Sequence, residues 1–199
     1  MIDEGYIKYE IQWEEGPAPE EDLSELIAVR NELFDRGLIG VYADLGVGYG
    51  NVSQRWLPGT EFVVSGTQTG HLPQLTQVHF SRVTGWDLTA NRLHCQGPLK
   101  ASSESLTHAA IYDCVSTATA ILHVHHLPTW KYLLANFPST APGIAYGTPE
   151  MAREVYRLYS ESQLPELKVF AMTGHEEGVF AFGDTMAEAK AILLAAVQD

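Results

Sequence analysis

Ala120-Ile-Leu-His123-Val-His125-His126 is an apolar run that ends in closely spaced histidines, and it sets the reading of the whole chain. The isoleucine and leucine leading into His-x-His predict a buried strand. Residues two apart on a strand project from the same face, so His123 and His125 reach one point together while His126 faces the other way. Two imidazoles alone seldom hold a metal tightly. A catalytic metal needs three protein ligands and a position left for substrate. His175, in Met172-Thr-Gly-His175-Glu-Glu-Gly178 between two expected strands, is placed to be the third.

The surrounding pattern predicts one α/β domain with a mixed or antiparallel sheet. Ile7, Tyr9, Ile11 and Trp13 alternate with Lys8, Glu10 and Gln12, which predicts a half-buried strand over Tyr6 to Trp13. A helix is expected over Glu21 to Arg36, stopped by Gly37. Gly46-Val-Gly48-Tyr-Gly50 reads as a loop or tight turn, as do Gly50-Asn51-Val52-Ser53 and Thr67-Gln68-Thr69-Gly70. Strands are expected over Glu61 to Ser65 and Gln77 to Val83, the latter turning at Thr84-Gly-Trp-Asp87. Ser102 or Ser103 would cap a helix running to about Val115, and Thr148 before Pro149 would open another to about Tyr159. Lys168 to Met172 and Gly178 to Phe182 read as strands, and Thr185-x-x-Glu188 as a capping box for the last helix.

Composition narrows the partners. The chain has 199 residues, 45% of them apolar, enough for one sizeable core. Lys and Arg total 12 against 25 Asp and Glu, a formal charge of −13, so nucleic acid and anionic membrane would meet long-range repulsion. No apolar run approaches the roughly 20 residues that span a bilayer. Met1-Ile-Asp-Glu, with two acids in its first four residues, does not read as a signal peptide. Cys95 and Cys114 could pair, but two isolated thiols in a domain of this size are read as reduced, in a cytoplasmic protein.

Chemistry enters with Ser102-Ser103-Glu104 at the expected helix start, where N–H groups and hydroxyls suit an anion and Glu104 suits a base. His108, one turn later, is read either as the group that orients Glu104 or as a packed core histidine. Each piece alone is an ordinary cap or turn.

In this order, Gly50-Asn51-Val-Ser-Gln-Arg55, Thr67-Gln-Thr-Gly70, Ser102-Ser-Glu104, His123-x-His125 and a late His175 resemble the class II aldolase/adducin family. The likeness runs from about Glu21 to Val197. It implies a three-layer α/β/α domain with a mainly antiparallel central sheet over 21–199, and residues 1–20 are read as an N-terminal strand and linker extension additional to the family pattern. It implies a divalent metal, usually zinc, on His123, His125 and His175, with Glu104 as acid/base beside it. Gly50, Asn51, Thr69, Gly70, Ser102 and Ser103 match positions that bind substrate phosphate. The implied activity is aldolase-type lyase cleavage of a small hydroxy-carbonyl compound, a sugar phosphate, through an enediolate that the metal stabilises. Family members are commonly homotetramers.

Other readings stay open beside this one. An epimerase or dehydratase would share the same intermediate. A non-catalytic module, as in adducin, predicts eroded ligands, whereas Glu104 and the three histidines are all present. The scarcity of cations, apart from Arg55 and Lys100, leaves room for an uncharged substrate. The chain also departs from the family pattern: Gln68 stands where proline is usual, Ala101 replaces a proline, and Glu176-Glu177 intervenes between His175 and Gly178. Substrate-facing tyrosines of the family have no aligned counterparts, leaving Tyr112, Tyr132 and Tyr146 as candidate acids.

Overall fold

The computed structural model describes residues 5–198. Strand β1 (Glu10–Glu15) and helix α1 (Ser24–Asp35) are followed by a short pair, β2 (Gly40–Tyr42) and β3 (Val47–Tyr49). Strands β4 (Asn51–Arg55), β5 (Phe62–Ser65), β6 (Phe80–Asp87) and β7 (Arg92–Gly97) then lead to helix α2 (Ser105–Cys114). Next come β8 (Ala120–His125), α3 (Leu127–Asn136), α4 (Pro149–Glu161) and the single turn α5 (Leu164–Leu167). The chain closes with β9 (Val169–Ala171), β10 (Gly178–Gly183) and α6 (Met186–Ala196).

Eight strands form one sheet in the order β1-β7-β6-β5-β4-β8-β10-β9, and every pairing is antiparallel except β1 with β7. The histidine-bearing strand β8 lies inside the sheet, between β4 and β10, and all its residues are buried. That position explains why its sequence is apolar on both faces. Ile121 points into a core shared with α2 and α4, among Leu106, Ile111, Val155 and Phe180. Leu122 and Val124 point into the opposite core, with Leu26 and Leu33 of α1 and Leu193 of α6. Helices therefore cover both faces, giving the three layers. Full burial of each such leucine or phenylalanine contributes on the order of 1.5–3 kcal/mol. His123 and His125 share the parity of Ile121, so the pleat carries them toward the α2 side.

Most expected elements are present, and the exceptions have physical causes. The ladder of β1 starts at Glu10 rather than Tyr6, although Ile7, Tyr9, Ile11 and Trp13 all pack against the core as their alternation predicted. Residues 1–4 of the expected extension and Asp199 lie outside the described residues. The Gly46–Gly50 stretch is not a loop throughout: Val47–Tyr49 pairs with Gly40–Tyr42 as a hairpin. Glycine in this hairpin allows a close backbone approach: a Cβ on Gly48 would lie 3.1 Å from the Gly70 nitrogen. Gly46, at φ 64, closes the hairpin turn and Gly50, at φ 77, turns the chain again, while Asn51-Val52-Ser53 is strand rather than turn. Thr84–Asp87 does not reverse the chain either. A register shift between Val83 and Gly85 absorbs the irregularity and β6 continues.

Three further elements, β7, α3 and the single turn α5, lie where the sequence pattern predicts none, and Gln77–His79, expected as strand, is a 3-10 turn ahead of β6. Proline breaks a helix interior, but Pro128 stands in the first turn of α3, where its missing N–H costs no helical bond. The Thr148 cap forms, with its hydroxyl accepting from the Met151 N–H at 3.3 Å. Thr185 likewise accepts from Glu188, but the return bond of Glu188 goes to the Asp184 N–H, one residue ahead of the cap.

Candidate metal centre and substrate pocket

Antiparallel pairing of β10 with β8 sets Gly178 opposite His125 and Phe180 opposite His123. The loop between β9 and β10 therefore ends level with the His-x-His pair. Its turn is closed by the His175 N–H to Met172 O (3.2 Å) and the Gly178 N–H to His175 O (3.0 Å), which brings the third imidazole over the other two. The ligating nitrogens of His123, His125 and His175 all lie within 4.8 Å of one another, and all three side chains are buried. His126 stands apart: its Nδ1 is 2.7 Å from Thr129 Oγ1 at the start of α3.

Protonation states follow from the partners. His123 Nδ1 is 3.1 Å from the Val179 carbonyl, which only accepts, so Nδ1 carries the proton and Nε2 a lone pair. Burial, and then the neighbouring His175, hold His123 and His125 neutral, well below the usual imidazole range. Burial, with the positive charge of Lys8, brings His175 down to about 3. His123 Nε2 and His125 Nε2 are 3.2 Å apart, close to the edge of a tetrahedron with metal–nitrogen bonds of about 2.0–2.1 Å.

Glu104 occupies the N-cap position of α2. Its Oε2 accepts from Thr107 Oγ1 at 3.0 Å, while Oε1 lies 3.4 Å from His175 Nε2 and 3.8 Å from His123 Nε2. Oε1 is buried and has no hydrogen-bond partner among the described residues. Burial pushes the carboxyl up to about 8, partly opposed by the Thr107 bond. Convergent neutral imidazoles beside a carboxylate oxygen left without a donor fit a divalent cation.

Glu104 and His123 line the same pocket as Gly50, Asn51, Thr69, Gly70, Ser102 and Ser103. The structure thus gathers every expected pocket residue around one space, next to the imidazoles. The buried Arg30 guanidinium braces the Thr67–Gly70 turn by donating to the carbonyls of Thr69 (2.9 Å), Gly70 (3.3 Å) and Leu72. With the Thr69 and Gly70 carbonyls turned toward Arg30, the planar peptides direct the N–H groups of Gly70 and His71 the other way. Gln68 sits at φ 61, a value that proline does not adopt, so this loop needs a residue other than the usual proline. The Thr69 hydroxyl is spent on Gly66 O at 2.8 Å and its carbonyl on Arg30, so its backbone N–H is the group left to face the pocket. Ser102 Oγ accepts from the Glu104 N–H at 3.3 Å, and the Ser102 carbonyl receives the Tyr9 hydroxyl at 2.6 Å. The N-terminal strand therefore braces the serine pair.

Other expectations are redirected. His108 does not orient Glu104. It is the core alternative, bonded to Ser53 and Asn51. Arg55 faces away from any ligand, donating to the carbonyls of Tyr112, Val115 and Ala118 at the C-terminal end of α2. Among the candidate acids, Tyr112 is tied to Ser53 and Tyr132 is exposed on α3, while the Tyr146 ring packs 4.7 Å from that of His175. Lys8 lies 3.8 Å over the face of Tyr146, which brings a cation of the N-terminal segment to the site. Arg30 was legible in principle, since it follows Leu26 and Val29 at helical spacing on the buried stripe.

The chain from 24 to 198 matches the model of the class II aldolase and adducin N-terminal domain. It belongs to that family. Among solved structures, YgbL of Klebsiella pneumoniae, whose own reaction is left open between aldolase, epimerase and decarboxylase, shares 20% identity over 86% of this chain and 82% of that one, with a TM-score of 0.64. L-fuculose-1-phosphate aldolase of Thermus thermophilus shares 24% identity over 87% and 84%, with a TM-score of 0.58. A sugar-phosphate aldolase of Thermotoga maritima shares 17% over 86% and 88%, at 0.60. No curated protein sequence matches significantly. At these identities the structures establish the fold. No helix among the described residues is long and apolar enough to cross a membrane, and both cysteines are free.

Proposed function

We propose that this class II aldolase family member is a metal-dependent lyase that cleaves a small hydroxy-carbonyl compound, a sugar phosphate, into two carbon fragments. The observation that carries the reading is the single pocket in which Glu104 and His123 meet the Gly50–Asn51, Thr69–Gly70 and Ser102–Ser103 backbone. His123, His125 and His175 would hold the metal, and an all-imidazole donor set favours zinc. When bound, the metal supplies Lewis-acid stabilisation of the negative charge that develops on a substrate oxygen as the carbon–carbon bond breaks.

The protein's own groups do the rest. Thr107 pins one oxygen of Glu104, so the other stays aimed at the imidazole cluster and can take up and return a proton there. A carboxyl raised by burial toward neutrality is matched to that task. No Lys or Arg lines the pocket among the described residues, so backbone N–H groups, Asn51 and the serine hydroxyls would bind the phosphate.

The test is a screen of zinc-loaded protein against phosphorylated and free ketoses, scored for released aldehyde. The expected result is release from a phosphorylated substrate, reduced about 10²–10⁴-fold in Glu104→Gln with zinc retained. Turnover without a released fragment would replace the lyase by an epimerase or dehydratase.

A further inference from the structure

Tyr42, on the β2–β3 hairpin, places its hydroxyl 2.9 Å from His125 Nδ1 and 2.7 Å from Glu177 Oε2. Its ring is fixed by packing against Tyr49, with centroids 4.6 Å apart, and lies edge-on to His125. Glu177 belongs to the Glu176-Glu177 pair that separates His175 from Gly178, and it sits at φ 68, a conformation non-glycine residues avoid. Strained backbone at such a point is held by its surroundings and commonly marks function.

We infer that Glu177 and Tyr42 form a positioning relay that keeps His125 in its metal-binding tautomer. The argument counts protons. A tyrosine hydroxyl has one, and the Glu177 carboxylate can only accept, so Tyr42 donates to Glu177 and accepts from His125 Nδ1–H. His125 Nε2 then carries a lone pair. The Val179 carbonyl leaves His123 Nε2 in the same state, 3.2 Å away. Without Glu177 the Tyr42 hydroxyl can donate to His125 Nδ1 instead, which moves the imidazole proton to Nε2, the atom 3.2 Å from His123. The two ligands then satisfy each other and compete with the metal. Partners of this kind orient metal-binding histidines and set their basicity.

This inference rests on the metal reading above, and one experiment separates their failures. Tyr42→Phe keeps the ring packing, Glu177→Ala removes the acceptor, and Glu176→Ala alters only the exposed neighbour. Zinc affinity is measured by competition with a chelator, and the His125 tautomer in metal-free protein by ¹⁵N chemical shifts. The relay predicts zinc binding weakened about 10–100-fold in Tyr42→Phe and Glu177→Ala but not in Glu176→Ala. It also predicts a His125 proton on Nδ1 in the wild type and on Nε2 in Glu177→Ala. A wild-type protein that takes up no zinc overturns the metal reading and the relay together. Zinc bound by the wild type with unchanged affinity in both variants, or a wild-type proton on His125 Nε2, overturns the relay alone.

Discussion

His108 Nε2 lies 2.6 Å from Asn51 Oδ1, joining the buried face of α2 to the wall of the pocket that Glu104 and His123 line. Asn51 Oδ1 only accepts, so Nε2 carries the proton and Nδ1 accepts from Ser53 Oγ at 2.7 Å. Tyr112 in turn donates to Ser53 Oγ at 2.8 Å. This chain fixes the Asn51 amide with its oxygen turned inward, which reserves its NH₂ donors for the pocket.

The same arrangement predicts a pH dependence. Burial, with a smaller contribution from His123, holds His108 neutral well below its ordinary value of 6.5. The unfolded chain therefore takes up a proton near pH 6.5 that the folded chain refuses. The stability this group confers is complete above pH 6.5 and is lost as the pH falls toward the depressed folded value. In urea denaturation of metal-free protein, His108→Gln should show a shallower loss below pH 6.5, by up to about 1.4 kcal/mol per pH unit. Parallel profiles would place His108 in a solvated or protonated state.

Gly70 lies where three backbone segments meet. A Cβ there would stand 2.5 Å from Gly40 O and 2.9 Å from both Gly48 Cα and Tyr49 N, and none of these backbone atoms can swing aside. Gly70→Ala should push the Thr67–Gly70 turn off the hairpin. The expected outcome is loss of protection by millimolar inorganic phosphate in thermal unfolding, while zinc content stays unchanged.

Arg55 resembles a ligand cation in sequence but acts as a helix terminus. The residue is 6% exposed, and its guanidinium donates to Ala118 O at 2.6 Å, Tyr112 O at 3.0 Å and Val115 O at 2.5 Å. Arg55→Met leaves these carbonyls short of donors and should cost about 3 kcal/mol of stability. The Michaelis constant for a phosphorylated substrate should not move. A raised constant with unchanged stability would return Arg55 to the binding site.

Metal removal gives the simplest prediction. Zinc at a hundredfold excess over its dissociation constant should stabilise the folded protein by about 2.7 kcal/mol, and a chelator should reverse this. His175→Ala, which removes one of the three converging imidazoles, should abolish the zinc-dependent shift in thermal unfolding. A full shift in that variant would mean that the metal binds elsewhere.

The parts of this molecule that could be read in advance are those where burial imposes a period. Strand β8 shows its inner position because both faces are apolar, and its parity alone separates His123 and His125 from His126. Tyr9 and Trp13 fall on the inner face by the same rule. The hairpin that supplies Tyr42 is hidden, because its glycines answer to a close approach by Gly70 and carry no period. The role of Arg55 is hidden as well, since the carbonyls that occupy it come from residues some sixty positions away. Contacts of that range are set by topology, and local pattern does not announce them.

Strand β1 is one margin of the eight-stranded sheet, paired in parallel with β7, and it presents Glu10, Glu14 and Glu15 outward. A margin carrying such charge resists the docking of another strand. Removing residues 5–15 would uncover the backbone of β7 and leave Leu93 and Cys95 beside an adhesive edge, so the shortened chain should self-associate into sheet-rich aggregates. At the far margin β9 is three residues long and is flanked by the Ser139–Ala171 bridge. Growth of the sheet is thus blocked by acidity at one end and by brevity at the other, which leaves helices and loops as the surfaces through which copies of this protein can meet.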